Sequence, residues 1–160
     1  MIKYIIWLLI GVVLGAGVYW LYQRYNSAPV NSPGEQMTIS VYFAKSEPTD
    51  IAIVSVKRTI PKTVAVATAA MQELLKGPTD AEKAQGLSTA INSGTILNYV
   101  RIENGVATVD FNDRFDFQMG GSARVMAINQ QILKTLTQFP TIKTIKLTIN
   151  QGERPANLEP

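Results

Sequence analysis

The chain contains no histidine and no cysteine among its 160 residues. Their absence removes the usual general base, the thiol nucleophile and the preferred nitrogen and sulfur ligands of zinc. It also excludes disulfide bonds within the chain. Carboxylates are the acid–base groups that remain, so we predict a protein without a cofactor or a bound metal and without a catalytic residue.

Basic residues are neither numerous nor clustered. The chain has 15 Lys and Arg against 12 Asp and Glu, and without Lys3 and Arg24, which flank an apolar run, 13 basic residues face 12 acidic ones. Lys57 and Arg58 form the only adjacent basic pair. A nucleic-acid-binding domain needs a basic patch that displaces the counterions of phosphates. We therefore expect no nucleic acid among the partners.

One long hydrophobic run is present, at residues 4–22, and it contains no charged side chain. A helix of this length spans roughly 28 Å, close to the hydrocarbon core of a bilayer. Tyr4 and Trp7 near one end and Trp20 near the other are placed like interfacial aromatic residues. The run does not end in the small residues of a signal-peptidase site. We predict a transmembrane anchor over residues 1–25, with a cleaved signal peptide as the alternative.

The flanks and glycines of this run suggest its orientation and its packing. The N-terminal amine and Lys3 on one side, against Arg24 on the other, give a small bias toward an internal N-terminus. The rest of the chain would then lie on the extracytoplasmic side of the cell membrane. Gly11 and Gly15 lie four residues apart, so one helix face would present both to a second helix. Small residues are also common in transmembrane helices generally, and both interpretations stay open.

Three segments follow the predicted anchor. Residues 26–36 contain serine, proline and glycine without periodicity, as is typical of a linker. Residues 37–151 are long enough for one hydrophobic core and form the predicted domain. Residues 152–160 are polar and include two prolines. We expect this tail to fray.

The domain alternates between strand and helix patterns. Residues 39–43 and 51–59 are predicted as strands, separated by a turn at residues 47–50. A helix should follow, with Thr63 as its N-cap and Gly77 at its end. The predicted apolar face of this helix comprises Val64, Ala67, Met71, Leu74 and Leu75.

Asn104 and Gly105 are typical of a two-residue type I′ hairpin turn, here between strands 96–102 and 106–111. This turn fixes the register of the two strands. One face should be mostly apolar and the other mixed and solvated. The apolar pairs are Ile102/Ala107, Val100/Val109 and Asn98/Phe111, and the mixed pairs are Glu103/Val106, Arg101/Thr108 and Tyr99/Asp110.

A second amphipathic helix should follow Gly120 and end before Pro140, and a last strand alternates over residues 145–149. The apolar stripe of this helix comprises Val125, Ile128, Ile132, Leu133, Leu136 and Phe139. Two such helices must cover the apolar face of a sheet. The predicted fold class is α+β: a two-layer sandwich with a mixed or antiparallel sheet of about five strands, in the order ββαββαβ, and two helices on one face.

Asp110, Asp113 and Asp116 form a D-x-x-D-x-x-D series, the arrangement that could serve a carboxylate hydrolase or a calcium loop. The spacing does not match an EF-hand, whose ligands alternate. Asp110 also lies opposite Tyr99 and diagonal to Arg101 in the predicted hairpin, where a surface ion pair or hydrogen bond would give it a structural role. We favour the structural role and keep Tyr99, Arg101, Asp110 and Asp113 as candidate binding residues.

Gly120, Gly121 and Ser122 precede the second helix and are further candidate binding residues. Free N–H groups at the start of a helix favour anions, so these residues could form a phosphate cradle. They lack the lysine and the spacing of a Walker motif. The structural alternative, which we favour, is that the glycines permit the turn and Ser122 caps the helix.

Several segments resemble, in order, the GerMN domain, the sporulation and spore-germination domain of bacteria. They are residues 74–79 (LLKGPT), 86–91 (GLSTAI), 94–95 (GT), 105–111 (GVATVDF), 120–123 (GGSA) and 136–140 (LTQFP). The resemblance covers about residues 39–149. Asn92 departs from it, because the family more often has proline there, and several relatives look like lipoproteins rather than proteins with a bare anchor.

The resemblance implies an extracytoplasmic module with no established catalytic residues. It also implies a likeness to the small ring-building domains of envelope secretion complexes. We therefore expect a non-catalytic, membrane-anchored module that binds a cell-wall component or an envelope protein. An oligomerising scaffold subunit, and hence a homo-oligomer, is the alternative. A hydrolase that uses Asp110 or Asp113 is less favoured.

Overall fold

The computed structural model describes residues 34–47 and 51–158. The predicted anchor, with Gly11 and Gly15, lies outside these residues. None of the helices within them is long and apolar enough to span a bilayer. The described strands and helices belong to one compact unit, Gln36–Pro160.

Two long strands begin this unit. β1 (Gln36–Ser46) and β2 (Ile51–Pro61) pair antiparallel along their full length, from Gln36 opposite Pro61 to Ser46 opposite Ile51. β2 is rich in β-branched residues, and β1 combines three of them with Tyr42 and Phe43; both residue types suit a pleated sheet. A two-residue strand, β3 (Leu87–Ser88), joins the other edge of β1, so this first sheet has the order β2-β1-β3.

A second sheet is built from later residues. It contains β4 (Leu97–Glu103), β5 (Val106–Phe111), β6 (Thr144–Ile149) and β7 (Arg154–Pro155), in that spatial order. β5 and β6 run parallel and the other pairs antiparallel, so the sheet is mixed as predicted. The prediction of one sheet of about five strands was wrong. The described strands form two sheets, because the first sheet ends at β3 and is not extended by β4.

The hairpin between β4 and β5 confirms the predicted turn. Asn104 and Gly105 both have positive φ, 50° and 82°, as a type I′ turn requires. Five of the six predicted pairs are present. The sixth is wrong: Leu97, not Asn98, lies opposite Phe111, since the register shifts between Leu97 and Tyr99. The shift coincides with a side-chain hydrogen bond that Asn98 makes to β5, described below.

The first helix, α1 (Val66–Lys76), begins later than predicted. Its N-cap is Ala65, which has no capping side chain, and Thr63 Oγ1 instead accepts a hydrogen bond from the Ala65 N–H at 3.1 Å. Val64 was placed on the apolar face but precedes the helix and is 99% exposed. Three other members of that face are buried as predicted: Ala67, Met71 and Leu74. The helix ends at Gly77, with φ 77°.

A five-residue helix that the sequence analysis did not predict, α2 (Asp80–Ala84), follows at once. Thr79 and Glu82 form a capping box, in which each side chain accepts a hydrogen bond from the backbone of the other. Arg58 of β2 donates to the same Glu82 carboxylate at 2.6 Å. This hydrogen bond is the largest cause that lowers the Glu82 pKa to about 2. The pair fastens α2 to the first sheet.

The long helix α3 (Ser122–Thr137) packs against β1 and against α1. Its side chains and its C-cap residue cover the edge of β1 that faces away from β2, along the part of that edge that β3 does not occupy. Gln138 accepts from the Ser40 N–H at 2.8 Å and donates to the Ser40 carbonyl at 2.7 Å. Thr135 accepts from the Tyr42 N–H, and Gln131 donates to the Tyr42 carbonyl at 3.1 Å. These side chains therefore stand where a further strand would bond.

The larger of two hydrophobic clusters joins both sheets and the helices α1 and α3. Phe111 and Phe115 stack in it with ring centroids 4.2 Å apart. The stripe predicted for the second helix is buried at Val125, Ile128, Ile132 and Leu136. Residues 152–158 of the predicted tail do not fray as expected: Arg154 and Pro155 form β7, and Ala156 and Leu158 pack against the core.

Candidate functional site

The acidic series binds a later segment of the same chain. Asp110, Asp113 and Asp116 all accept hydrogen bonds from residues 148–157, which contain the turn after β6 and strand β7. We call this arrangement the aspartate clasp. Within the described residues, no three acidic side chains are grouped as a metal site would require. The clasp thus joins the end of β5 to the last part of the second sheet.

Asp110 is completely buried, and both of its oxygens are used. The Thr148 hydroxyl donates to it at 2.6 Å and the Asn98 amide at 2.7 Å. The backbone N–H groups of Gln151 and Gly152 each donate at 2.8 Å. Burial alone raises the pKa of this carboxyl, but the four hydrogen bonds outweigh burial and leave the pKa below its ordinary value. Asp110 is an ionised structural acceptor, poorly placed to be a nucleophile.

Asp113 and Asp116 hold the next part of the segment. Asn150 donates its side-chain amide to Asp113 at 2.7 Å. Arg154 makes a bidentate pair with Asp116, whose side chain is 5% exposed. This hydrogen bond from Arg154 is the main cause that lowers the Asp116 pKa. A carboxylate hydrolase needs two carboxylates that face a common substrate cleft. Asp110, Asp113 and Asp116 instead bond to residues 148–157 of the same chain.

The predicted surface contact between Asp110 and Arg101 was wrong. Asp110 lies in the interior, and the Arg101 guanidinium instead lies 5.5 Å from the centroid of the Tyr99 ring. The Tyr99 hydroxyl approaches Gly152, where an added Cβ would come within 3.3 Å of it. Tyr99, Asp110 and Asp113 are therefore gathered around the turn after β6, and Arg101 lies beside them on β4.

Gly120, Gly121 and Ser122 lie at a different place, where the chain enters α3. Gly120 and Gly121 have positive φ, 55° and 43°, which confirms that the glycines permit the turn. The expected cap was wrong: Gly121 occupies the N-cap position, and no side chain caps the helix. Ser122 is instead the first residue of α3 and lines a groove.

That groove lies between β2 and the first turns of α3 and encloses about 350 Å³. Ile51 and Ile53 of β2 form one wall, and Met126 of α3, 65% exposed, stands on the other. No lining side chain is charged or aromatic. The remaining lining residues are Ser122, Ala123, Ala127 and Gln130. We call this feature the apolar groove.

Sequence reasoning did not identify Ile53 or Met126 as functional residues. Met126 gave one signal, since it is a large apolar residue off the buried stripe of α3. Ile53 gave none, because a strand pattern does not reveal that its strand lies at the edge of a sheet. The groove exists only because β2 and α3 pack side by side, and this packing could not be predicted from the sequence pattern.

A smaller cavity of about 190 Å³ collects loops that carry the resemblance noted above. Asn92, the departure from the family pattern, bonds one of these loops to the segment after β5 and to α3. Its amide donates to the carbonyls of Phe115 and Phe117, and its oxygen accepts from Arg124 at 2.6 Å. The lining residues include Lys76, Gly77, Thr89, Gly94 and Thr95.

Known structures share this fold. The tandem GerMN domains of the sporulation protein GerM from Bacillus subtilis are 27% identical with a TM-score of 0.63, over 82% of this chain and 48% of theirs. This chain thus spans about half the length of that structure. The first GerMN domain of the same protein is 25% identical with a TM-score of 0.56, over 74% of this chain and 86% of that one.

A candidate lipoprotein from Clostridium perfringens is 17% identical with a TM-score of 0.52, over 81% of this chain and 86% of its own, and shows the fold alone. No curated protein matches the chain significantly. The model of the family described as sporulation and spore germination, Germane, matches residues 40–154, most of the chain. The chain therefore belongs to the sporulation and spore germination family, and its compact unit is a GerMN domain.

Proposed function

We propose that this chain is a non-catalytic binding module of the bacterial cell envelope, held at the membrane by its N-terminal segment and serving sporulation or germination. Family membership and the sporulation protein GerM support the link to sporulation. The uncharged run at residues 4–22 supports the anchor. The aspartate clasp supports a role without catalysis, since its carboxylates are engaged within the fold.

The apolar groove carries the proposal that the module binds a protein. Ile51, Ile53 and Met126 expose aliphatic surface there, and such surface is stabilised when a partner removes it from water. A hydroxyl-rich glycan would find only two polar side chains, Ser122 and Gln130. The groove therefore favours an envelope protein over a wall glycan as the partner.

Site-specific cross-linking tests this proposal. A photoreactive residue in place of Met126 in the full chain should cross-link a defined protein in intact membranes. The same residue in place of Lys83, exposed on α2, is the matched control and should not. Equal capture from both positions, or no capture from Met126, contradicts the proposal. Retention on purified peptidoglycan without a protein cross-link would assign the wall instead.

A scaffold subunit is the second candidate function. The observation that favours it is β2, an edge strand as long as β1, because such edges can pair with a second copy. Sedimentation equilibrium of the full chain in detergent separates the two functions. With Gly11→Ile and Gly15→Ile in place, a scaffold should still associate as its concentration rises, whereas a binding module should remain monomeric.

The proposed location predicts a protease pattern. Protease added outside spheroplasts should remove the GerMN domain and leave a membrane-embedded N-terminal fragment. A membrane protein whose soluble domain faces the cytoplasm is the control, and it should stay uncut when the spheroplasts are intact. Protection of the domain would contradict the proposed orientation, and a soluble domain without any membrane fragment would indicate a cleaved signal peptide.

A further inference from the structure

The backbone of β2 points half of its polar groups away from β1. Ser40 and Tyr42 of β1 direct their N–H and carbonyl groups to α3 rather than to β2. In an antiparallel pair the two opposed residues share this state. Their partners Lys57 and Ser55, and by alternation Ile53, therefore direct their backbone groups to the outer edge of the sheet.

This outer edge is partly unprotected. Natural edge strands are usually blocked by charge, proline or a covering element. The second half of β2 has Lys57, Arg58 and Pro61, but residues 52–56 (AIVSV) contain no charge and no proline. Within the described part of the chain, no strand pairs with the outer edge of β2.

The unprotected half of β2 coincides with the apolar groove. Side chains alternate between the two faces of a strand, so Ile53 and Ser55 point to the same face. Ile53 lines the groove. A strand added to the edge would therefore bond to the backbone of Ile53 and Ser55 and place every second side chain beside Met126. Backbone bonding and apolar burial would act on the same ligand.

The charges carried by the two elements that form the groove are of one sign. Neither β2 nor α3 contains an acidic residue. Lys57 donates to the Ser40 hydroxyl at 3.1 Å, at the level of the sheet where Gln138 also contacts Ser40. Lys134 lies one helical turn before Gln138. Both elements that form the groove thus carry basic side chains and no acidic ones, and a second copy would bring more of the same charge.

We propose that the outer edge of β2 takes up an extended segment of a partner protein as an added strand. The segment has apolar side chains at alternate positions, which fill the apolar groove, and an acidic residue beside Lys57. Backbone bonds to Ile53 and Ser55 give affinity, and the groove and the lysines give selectivity. This inference rests on the proposed function and names the chemistry of the partner.

The test uses short random peptides displayed on phage and selected against the full chain in detergent micelles. The selected peptides should alternate apolar and polar residues and be enriched in Asp and Glu. On binding, hydrogen exchange should slow at the amides of Ile53 and Ser55, while those of Val54 and Val56, already bonded to β1, should change little.

Two variants of β2 sharpen the test. Ser55→Pro removes an outward N–H but no bond to β1, and proline is tolerated at such edge positions. It should weaken peptide binding about tenfold or more. Ser55→Thr keeps the N–H and is the matched control. Ile53→Lys places a charge in the groove and should also abolish binding, so the test survives if the proline variant fails to fold.

Each other outcome overturns the inference. Selected peptides with helical spacing, binding that Ser55→Pro leaves intact, or no selected peptide at all would exclude strand addition. Concentration-dependent self-association that Ser55→Pro abolishes would make the occupant a second copy. A protein cross-linked through Met126, combined with any of these results, would leave the proposed function standing and remove this inference alone.

Discussion

Asp110 shows how a single buried carboxylate can organise a turn. Asn150, Gln151 and Gly152 all have positive φ, and two of them are not glycine. Successive N–H groups in this conformation form a concave anion site, and the Asp110 carboxylate fills it. The backbone strain of Asn150 and Gln151 is thereby offset by charge-assisted hydrogen bonds.

Replacing this carboxylate should therefore weaken the fold. Asp110→Asn puts an amide N–H group among donors and should lower the free energy of unfolding by about 3 kcal/mol. The lowered folded pKa of Asp110 supplies stability that is present above the ordinary value of 3.8 and lost as pH falls below it. Urea unfolding at several pH values should show less acid sensitivity in the variant. Equal stability of both proteins would contradict the assigned role.

Gly105 is required by the hairpin turn. Its φ is 82°, and an added Cβ would meet only the Lys143 side chain, at 3.5 Å. Gly105→Val should therefore cost about 1–2 kcal/mol through backbone strain rather than through a clash. Thermal unfolding measures the loss. Gly105→Asn, which tolerates positive φ, is the control and should retain more of the stability.

At the scale of elements, α3 takes the place of a strand beside β1. Gln131 and Thr135 are completely buried although polar, because they bond to a strand edge that would otherwise be unpaired. Gln131 also accepts from the Ala90 N–H at 2.9 Å. One side chain thus joins the first sheet to the loop after β3.

Removing this polar bridge should destabilise the domain. Gln131→Met keeps the length of the side chain but leaves the Tyr42 carbonyl and the Ala90 N–H without a partner, at a cost of about 2–3 kcal/mol. Gln130→Met, one position earlier and half-buried, is the matched control and should change stability little. Denaturant unfolding of both variants gives the comparison. A harmless Gln131→Met would mean that other groups satisfy the edge.

Local signals in the sequence predicted local elements well. The Asn104–Gly105 turn, the apolar stripe of α3 and the stop at Gly77 depend on neighbouring residues, and the structure confirms them. Thr79 and Glu82 also have the spacing of a capping box, from which the start of α2 could have been predicted. β3 and β7 have two residues each, too few to show a period. Gln131 could not be interpreted, since its partners lie far away in the sequence.

At the candidate site, too, contacts between residues far apart in the sequence could not be predicted. Asp110 was assigned a structural role from the sequence, which its hydrogen bonds support, but its partners were misplaced. Two of the four partners are backbone N–H groups about forty positions later, and no pattern of side chains encodes them. The apolar groove depends on the packing of β2 against α3, which likewise leaves no local trace.

At the scale of the whole molecule, the last described residues complete the second sheet. Removal of residues 152–160 should lower the free energy of unfolding by roughly 3 kcal/mol or more. It deletes one backbone donor to Asp110 and the core contacts of Ala156 and Leu158. Removal of residues 159–160 alone is the control. Equal urea midpoints for the two truncations would contradict this prediction and show that residues 152–158 do not stabilise the domain.

The two long-range sets of hydrogen bonds also limit how early the chain can fold during synthesis. The Ser40 carbonyl can accept its hydrogen bond from Gln138 only after 98 further residues have been synthesised. Asp110 can accept its hydrogen bond from Gly152 only after 42 further residues. Until those residues have been synthesised, Ser40 lacks both of its bonds to Gln138, and Asp110 lacks its backbone donors. Contacts of such separation slow folding. We expect the domain to reach its native state only after nearly the whole chain has been synthesised, so that a chain that ends before Gln138 stays unfolded and open to proteases.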